Sequence, residues 1–258
     1  MVGLTPELAV TLAVIALLSG IGITAIGPGG IFVTIALFSL TGLTPAEVAG
    51  TASATFIAAG LVGSWIYARS GELGEPGSYR LAALLSVTSV VGGLLGAQAN
   101  TRVSEVLFGL MLGLVVVGIG VVIVYQEWRG LGRRRMIRPS TGSGKLVVLV
   151  LGLVIGFAGG LLGVGGPVLA VPALVVLGVP MLLAVAVAQV QSVFIAGFAT
   201  LGYVLHDAVV WPLAFLIGVP ELVGVVLGWR LAHRLEPRRL KIGLGIVLIA
   251  VGPYLAFG

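Results

Sequence analysis

Two short glycine-rich sequences interrupt long apolar stretches and carry the clearest chemical signal in the chain. Gly27-Pro28-Gly29-Gly30 stands in the first half and Gly163-Val164-Gly165-Gly166-Pro167 stands 136 positions later. A helix that begins after such a break exposes unpaired backbone N–H groups and the positive end of its dipole, which together bind oxyanions. The breaks therefore predict a small-anion site between two related halves. The glycines that would let a ligand approach the backbone are Gly29, Gly30, Gly165 and Gly166.

The alternative is that these glycines only allow close helix packing. Neutral hydrogen-bond donors on the apolar segment after each break favour a binding site, because hydroxyl and amide groups can donate to anion oxygens. No Lys or Arg lies deep within an apolar segment, so a bound anion would depend on such neutral groups. Helix-to-helix hydrogen bonding is the other explanation for them. The candidate donors are Thr51, Ser53, Gln189, Gln191 and Ser192.

Glu221 is the one carboxylate near the middle of an apolar segment, which runs from Trp211 to Leu231. An ionisable residue inside a membrane is a functional candidate, often in proton coupling. Its counterpart in the first half is Leu85, and a protonated Glu221 could also serve as a structural donor beside Pro220. We therefore predict proton coupling and keep the structural role as the alternative.

Composition identifies the class of protein in which these residues lie. Of 258 residues, 59% are hydrophobic and 9% are charged, with a mean hydropathy of +1.21. A soluble domain has roughly 25% charged residues, so the chain is predicted to be a polytopic membrane protein. There is no Cys, no HExxH pattern and no deep His, and the His206-Asp207 pair is expected in a solvated turn. We predict no catalytic residues, no metal site, no cofactor and no enzymatic activity.

The apolar segments number five in each half. Shifting the second half back by 136 positions superposes Gly20 on Gly156 and Tyr67 on Tyr203, which indicates a duplication. Segments 31–40 and 168–177 are only about 10 residues, or roughly 15 Å of helix, and a bilayer core of about 30 Å needs more. Each is expected to form a short broken helix or hairpin with the segment before it. This leaves three full crossings per half, so the second half should be inverted.

The predicted fold is thus an all-α polytopic membrane protein of two inverted repeats, 1–126 and 145–258, joined by a basic cytoplasmic linker, 127–144. Cytoplasmic loops carry an excess of Lys and Arg, which places the linker inside and both termini outside the cell membrane. The net charge of +5 is assigned to these loops and to contact with lipid headgroups, not to nucleic acid. Four aromatic residues near segment ends are predicted interfacial anchors: Trp65, Tyr67, Tyr203 and Trp211.

The sequence resembles the TauE/SafE family of membrane proteins, often called sulfite exporters. In the second half, the resemblance is carried by the break at 163–167, by Val171-Pro172 and by Leu177-Gly178-Val179-Pro180; in the first, by the break at 27–30 and Thr51-Ala52-Ser53. It covers nearly the whole chain. The resemblance implies transport of sulfur-containing anions such as sulfite, sulfonates or thiosulfate.

We therefore expect a secondary transporter, acting as an exporter, that binds a small anion at the broken-helix N-termini with coupling to protons. A small-solute carrier of the drug/metabolite type shares a five-plus-five inverted plan, but paired glycine breaks in the second segments argue against it. A membrane scaffold without a transport pathway is a further alternative, which flux measurements would separate.

Overall fold

The computed structural model describes residues 5–74, 77–129, 142–234 and 237–257. Within these ranges the chain is helical and contains no strand. The α-helices are α1 (Pro6–Ala25), α2 (Ile31–Leu40), α3 (Pro45–Ser70), α4 (Ser78–Asn100), α5 (Glu105–Arg129), α6 (Gly142–Leu162), α7 (Gly166–Val176), α8 (Met181–Val204), α9 (Trp211–Ala232) and α10 (Pro237–Phe257). Most of the predicted linker, residues 130–141, and the terminal Gly258 lie outside the described ranges.

Seven of these helices are long and apolar enough to cross a membrane: α1, α3, α4, α5, α6, α8 and α9. The all-helical, polytopic class predicted from composition is confirmed. Local sequence explains where helices begin and end. At the start of α3, the Thr44 side chain accepts from the backbone N–H of Glu47 while the Glu47 carboxylate accepts from Thr44, which forms a capping box. The helix ends at Gly71, which has φ +98°.

The two breaks have different backbone structures. The first contains Gly27 at φ +102° and a 3₁₀ turn at Pro28–Gly30, which leads into α2. In the second, Gly165 at φ +75° caps α7, and Pro167 lies in the first turn of that helix, where its missing N–H costs nothing. Helices α2 and α7 have 10 and 11 residues, as the short segments predicted.

Helices α1 and α6, which precede the two breaks, extend farther across the bundle than helices of half-depth hairpins would. The last turn of α1 lies near the end of α3, because the Tyr67 hydroxyl donates to the Thr24 carbonyl at 2.7 Å. The last turn of α6 lies near the end of α8, because the Tyr203 hydroxyl donates to the Gly160 carbonyl at 2.7 Å. Helices α2 and α7, at 10 and 11 residues, are too short to cross a membrane.

Close helix pairs form the body of the bundle. Helix α1 packs along α9, α6 along α4, α5 along α10, and α3 along α8. Glycines permit the first two contacts: a Cβ on Gly20 would overlap the Glu221 backbone, and a Cβ on Gly156 would lie 2.6 Å from Ser89. Small residues therefore determine which helices meet.

The prediction that all four aromatic residues are interfacial anchors is wrong for two of them. Trp65 and Trp211 are exposed, but Tyr67 and Tyr203 are fully buried. A buried tyrosine hydroxyl needs a hydrogen-bond partner, and the ends of α1 and α6 supply it.

Candidate functional site

The two breaks lie against each other inside the bundle. A Cβ on Gly27 would come within 2.6 Å of the Val171 side chain in α7. The Thr34 hydroxyl in α2 donates to the Gly163 carbonyl of the second break. Residues Pro28 to Ile31 and Gly163 to Val168 are buried, so irregular backbone from both halves is shielded from lipid, as a membrane interior requires.

A small cavity lies between the breaks and the middle of α3 and α8. Its free volume is about 10 Å³, roughly the room that one water molecule needs. An oxyanion requires more room, so the site is closed in this conformation. Four of the predicted site residues line it: Gly30, Gly165, Gln189 and Ser192. A fifth, Gly166, bonds to it through Ser192. Gly27, Ile23, Phe56 and Pro167 complete much of the wall.

The cavity has two polar side chains, both from α8. The Gln189 amide nitrogen donates to the Ile23 carbonyl at 3.2 Å, and its buried oxygen has no hydrogen-bond partner among the described residues. The Ser192 hydroxyl accepts weakly, at 3.4 Å, from the backbone N–H of Gly166 at the start of α7. A ligand oxygen could replace that serine as the acceptor for the helix N-terminus.

The other predicted binding residues lie away from the cavity. Gly29 packs against Gly22 of α1, and its carbonyl accepts from the Ser19 hydroxyl at 2.9 Å. The Thr51 hydroxyl accepts from the Val210 backbone N–H at 3.0 Å, at the start of α9. Ser53 is buried in α3 but does not line the cavity.

Gln191 also points elsewhere, because residues two apart face different sides of a helix. Its amide nitrogen donates to the Ser89 hydroxyl at 2.7 Å, and that hydroxyl donates to the Gly152 carbonyl at 2.8 Å. Gln191 therefore joins α8 to the α4–α6 pair.

Glu221 is fully buried in the middle of α9, beside Pro220. Thr55 of α3 faces its carboxyl group, but the Thr55 hydroxyl donates to its own helix at Ala52, at 2.9 Å. Neither carboxyl oxygen has a hydrogen-bond partner of normal geometry among the described residues. A charged carboxylate without a partner would be very costly here, so this environment favours a protonated Glu221. Thr55 is next in sequence to Phe56 of the cavity wall.

A much larger cavity, of about 830 Å³, lies at the side of the bundle between α5, α6 and α7. Its walls are apolar, with Val115, Leu151 and Pro172 among them. It offers nothing to hold an anion. Among the described residues, no group of three or more His, Asp or Glu side chains could hold a metal ion.

Sequence reasoning missed Phe56 and Thr34. Phe56 carries no polar atom, so only its place in the fold brings it to the cavity. Thr34 could have been found, because it is a polar residue in the first turn of a short apolar segment directly after a break.

The known proteins that the chain resembles are membrane transporters. The family model described as "Sulfite exporter TauE/SafE" matches residues 12–255. A "Probable membrane transporter protein" of Xylella fastidiosa (strain Temecula1) is 26% identical, over 88% of this chain and 87% of its own length. "Probable membrane transporter protein YunE" of Bacillus subtilis is 24% identical, over 96% of this chain and 97% of its own length. No solved structure matches the chain significantly.

Proposed function

The chain belongs to the TauE/SafE sulfite exporter family of membrane transporters, and we propose that it is a secondary transporter that exports small sulfur-containing anions such as sulfite, a sulfonate or thiosulfate. The observation that carries this proposal is the convergence of both breaks on one buried cavity. Two helix starts, a serine hydroxyl and a glutamine amide meet there, and none of these groups has a negative charge.

The closed cavity supports a cycle in which the site opens to one side at a time. With room for one water, it must widen to admit an anion. Neutral donors and helix dipoles bind an anion without a fixed counter-ion, so release remains possible on the other side. Gln189 would turn its amide nitrogen from the Ile23 carbonyl to a ligand oxygen.

We also propose that the two halves are inverted repeats. Helices α3 and α8, which correspond under the 136-residue shift, run antiparallel: Gly50 of α3 lies by Tyr203 of α8, and Gly60 lies by Val193. The bonds from Tyr67 to Thr24 and from Tyr203 to Gly160 are related by the same shift in both partners. These equivalences support the inversion that segment counting predicts.

Glu221 is proposed as the proton carrier. It is fully buried, its carboxyl oxygens have no hydrogen-bond partner of normal geometry among the described residues, and Thr55, which faces them, precedes Phe56 of the cavity wall. Protonation and deprotonation at this position would link a proton to each change of conformation.

Flux measurements in proteoliposomes test the function. Purified protein is reconstituted, and uptake of sulfite, sulfate, thiosulfate, taurine and acetate is followed with and without a pH gradient. We expect flux of one or more sulfur anions, driven by the gradient and absent from empty liposomes. Folded protein that moves none of the anions would contradict the proposal and favour the scaffold, whereas flux of uncharged metabolites alone would favour the small-solute carrier.

A further inference from the structure

A polar cluster joins the two halves at the end of the bundle where α3 and α9 finish. His233 follows the last turn of α9, and Glu72 lies in the 3₁₀ turn Glu72–Gly74 after α3. Their side chains form an ion pair, with His233 Nε2 at 2.7 Å from the Glu72 carboxylate. The Ser70 hydroxyl donates to the same carboxylate and accepts from Trp229 Nε1 at 3.3 Å.

The geometry specifies the charge of His233. Its second ring nitrogen, Nδ1, lies 2.9 Å from the Trp229 carbonyl oxygen. Both partners are acceptors only, and a neutral imidazole can donate from one nitrogen alone. Both bonds therefore form together only when His233 is the doubly protonated cation.

The electrostatics of the pair agree with this. Partial burial alone would lower the pKa of His233, but the Trp229 carbonyl and the Glu72 carboxylate outweigh it and raise the pKa above its usual value. Burial alone would raise the pKa of Glu72, but the hydrogen bonds from Ser70 and His233 lower it. The remaining charged groups at this end whose side chains are described are Arg69, which covers the Trp65 ring at 4.2 Å, and Arg80, Glu127, Lys145, Arg230 and Arg234.

The cluster lies next to Tyr67, on the side of this residue away from the cavity. The His233 and Tyr67 rings have centroids 6.2 Å apart. Tyr67 is seven residues, or about 10 Å, along α3 from Gly60 of the cavity wall. Its buried hydroxyl bonds to Thr24 at the tip of α1. Because Thr24 follows Ile23 of the cavity wall, this bond holds Tyr67 beside the cavity.

At the opposite end of the bundle a buried tyrosine again lies near a histidine, but this histidine bonds to an amide and not to a carboxylate. Tyr203 is buried against Gly160. Nearby, His206 Nε2 lies 3.1 Å from the Gln98 amide oxygen, a bond that a neutral histidine can make. Closure at this end therefore does not require a charged histidine.

We propose that the His233–Glu72 ion pair is a pH-sensitive latch that holds Tyr67 closed over the route from the cavity to the α3 end of the bundle. This inference rests on the proposed transport function. When His233 is protonated, both bonds form and the latch is shut. When the pH on this side rises and His233 loses its proton, one of the two bonds is lost and Tyr67 is released. The closed state is therefore favoured below the pKa of His233, and opening is favoured above it.

Accessibility of a buried cysteine measures the latch without any substrate. The chain has no Cys, so Ile23→Cys places a single thiol on the cavity wall, next to Thr24, whose backbone carbonyl accepts from Tyr67. Membrane vesicles that expose the α3 end are treated with an impermeant maleimide at pH 6 and pH 8. Each rate is divided by that of Ser143→Cys, which is exposed in the first turn of α6 at the same end, to remove the reagent's own pH dependence. We expect normalised labelling to be roughly tenfold faster at pH 8, since these values bracket the titration range of histidine.

When His233→Gln is added to the cysteine variant, the difference in labelling rate between pH 6 and pH 8 should disappear. Labelling should be fast at both pH values, because glutamine cannot form the cation. Glu72→Gln should act in the same direction and protects the test against misfolding of the first variant. The matched control is His206→Gln at the other end, which should keep the parent ratio. A parent without pH dependence, or a ratio that survives both latch substitutions, would overturn the proposal. Because labelling needs no substrate, a latch that responds to pH in a protein that moves no anion would contradict the proposed function alone.

Discussion

At the scale of single residues, two neighbouring glycines of the first break have different tasks. A Cβ on Gly29 would overlap the Gly22 backbone, whereas a Cβ on Gly30 would lie 3.2 Å from the Phe56 ring on the cavity wall. One glycine permits helix packing, and the other leaves space for a ligand.

Gly30→Ala should therefore reduce anion flux several-fold while membrane insertion and thermal stability stay close to wild type, because Gly30 has φ −57° and alanine adopts this without strain. Gly29→Ala is the matched comparison and should lower the melting temperature, because backbone must move. Flux in proteoliposomes and thermal unfolding in detergent distinguish the two. Equal loss of stability in both variants would show that Gly30 is also a packing residue.

Glu221→Gln should remove the response of transport to a pH gradient, because glutamine resembles the protonated acid and cannot release a proton. Anion exchange without a gradient should survive, whereas gradient-driven accumulation should vanish. Both are measured by isotope flux in proteoliposomes. Normal gradient dependence in this variant would mean that the proton travels by another route or on the substrate, and Glu221 would be a structural acid beside Pro220.

At the scale of helices, α2 stabilises the break of the other half through the Thr34 hydroxyl. Thr34→Val keeps the shape but leaves the Gly163 carbonyl without this donor. We expect the free energy of unfolding to fall by about 0.6–1 kcal/mol. Anion flux should fall severalfold, since the carbonyl lies in the second break. Ser39→Ala, at an exposed position of the same helix, should change neither. Unaltered flux in Thr34→Val would show that the breaks act independently.

The short helices could be predicted because their evidence is local. Gly27–Gly30 and Gly163–Pro167 mark the breaks, and the apolar runs after them are too short to span a bilayer. The direction in which each polar side chain of α8 points could not be predicted, because it depends on which helices pack against α8. Gln189 and Gln191 are equivalent in sequence terms, but only Gln189 meets the cavity.

Contacts between distant parts of the chain were also beyond sequence reasoning. Their positions near segment ends predict Tyr67 and Tyr203 at the membrane interface. They are buried because α1 and α6 extend far enough to reach them. The Glu72–His233 pair joins two loops that no local pattern relates.

At the scale of the whole molecule, the proposed topology places the start of α6 inside and both termini outside. Single cysteines at Ser143 and Gly258 should therefore react with an impermeant reagent from opposite sides of the membrane. Intact cells should label Gly258→Cys, and inside-out vesicles should label Ser143→Cys. Labelling of both from one side would refute the inversion but not the membrane assignment.

The pairing of Glu221 with Leu85 across the two halves has an evolutionary consequence. An ancestor built from two identical copies of one half would have carried two such carboxylates or none. Two buried acids would repel each other or bind two protons, and a site with none could not titrate. Once the two copies were fused into one chain, each could mutate separately. A single acid could then arise in one of two otherwise corresponding repeats. On the proposed repeat, coupling to a single proton became possible only when the two copies could differ in sequence.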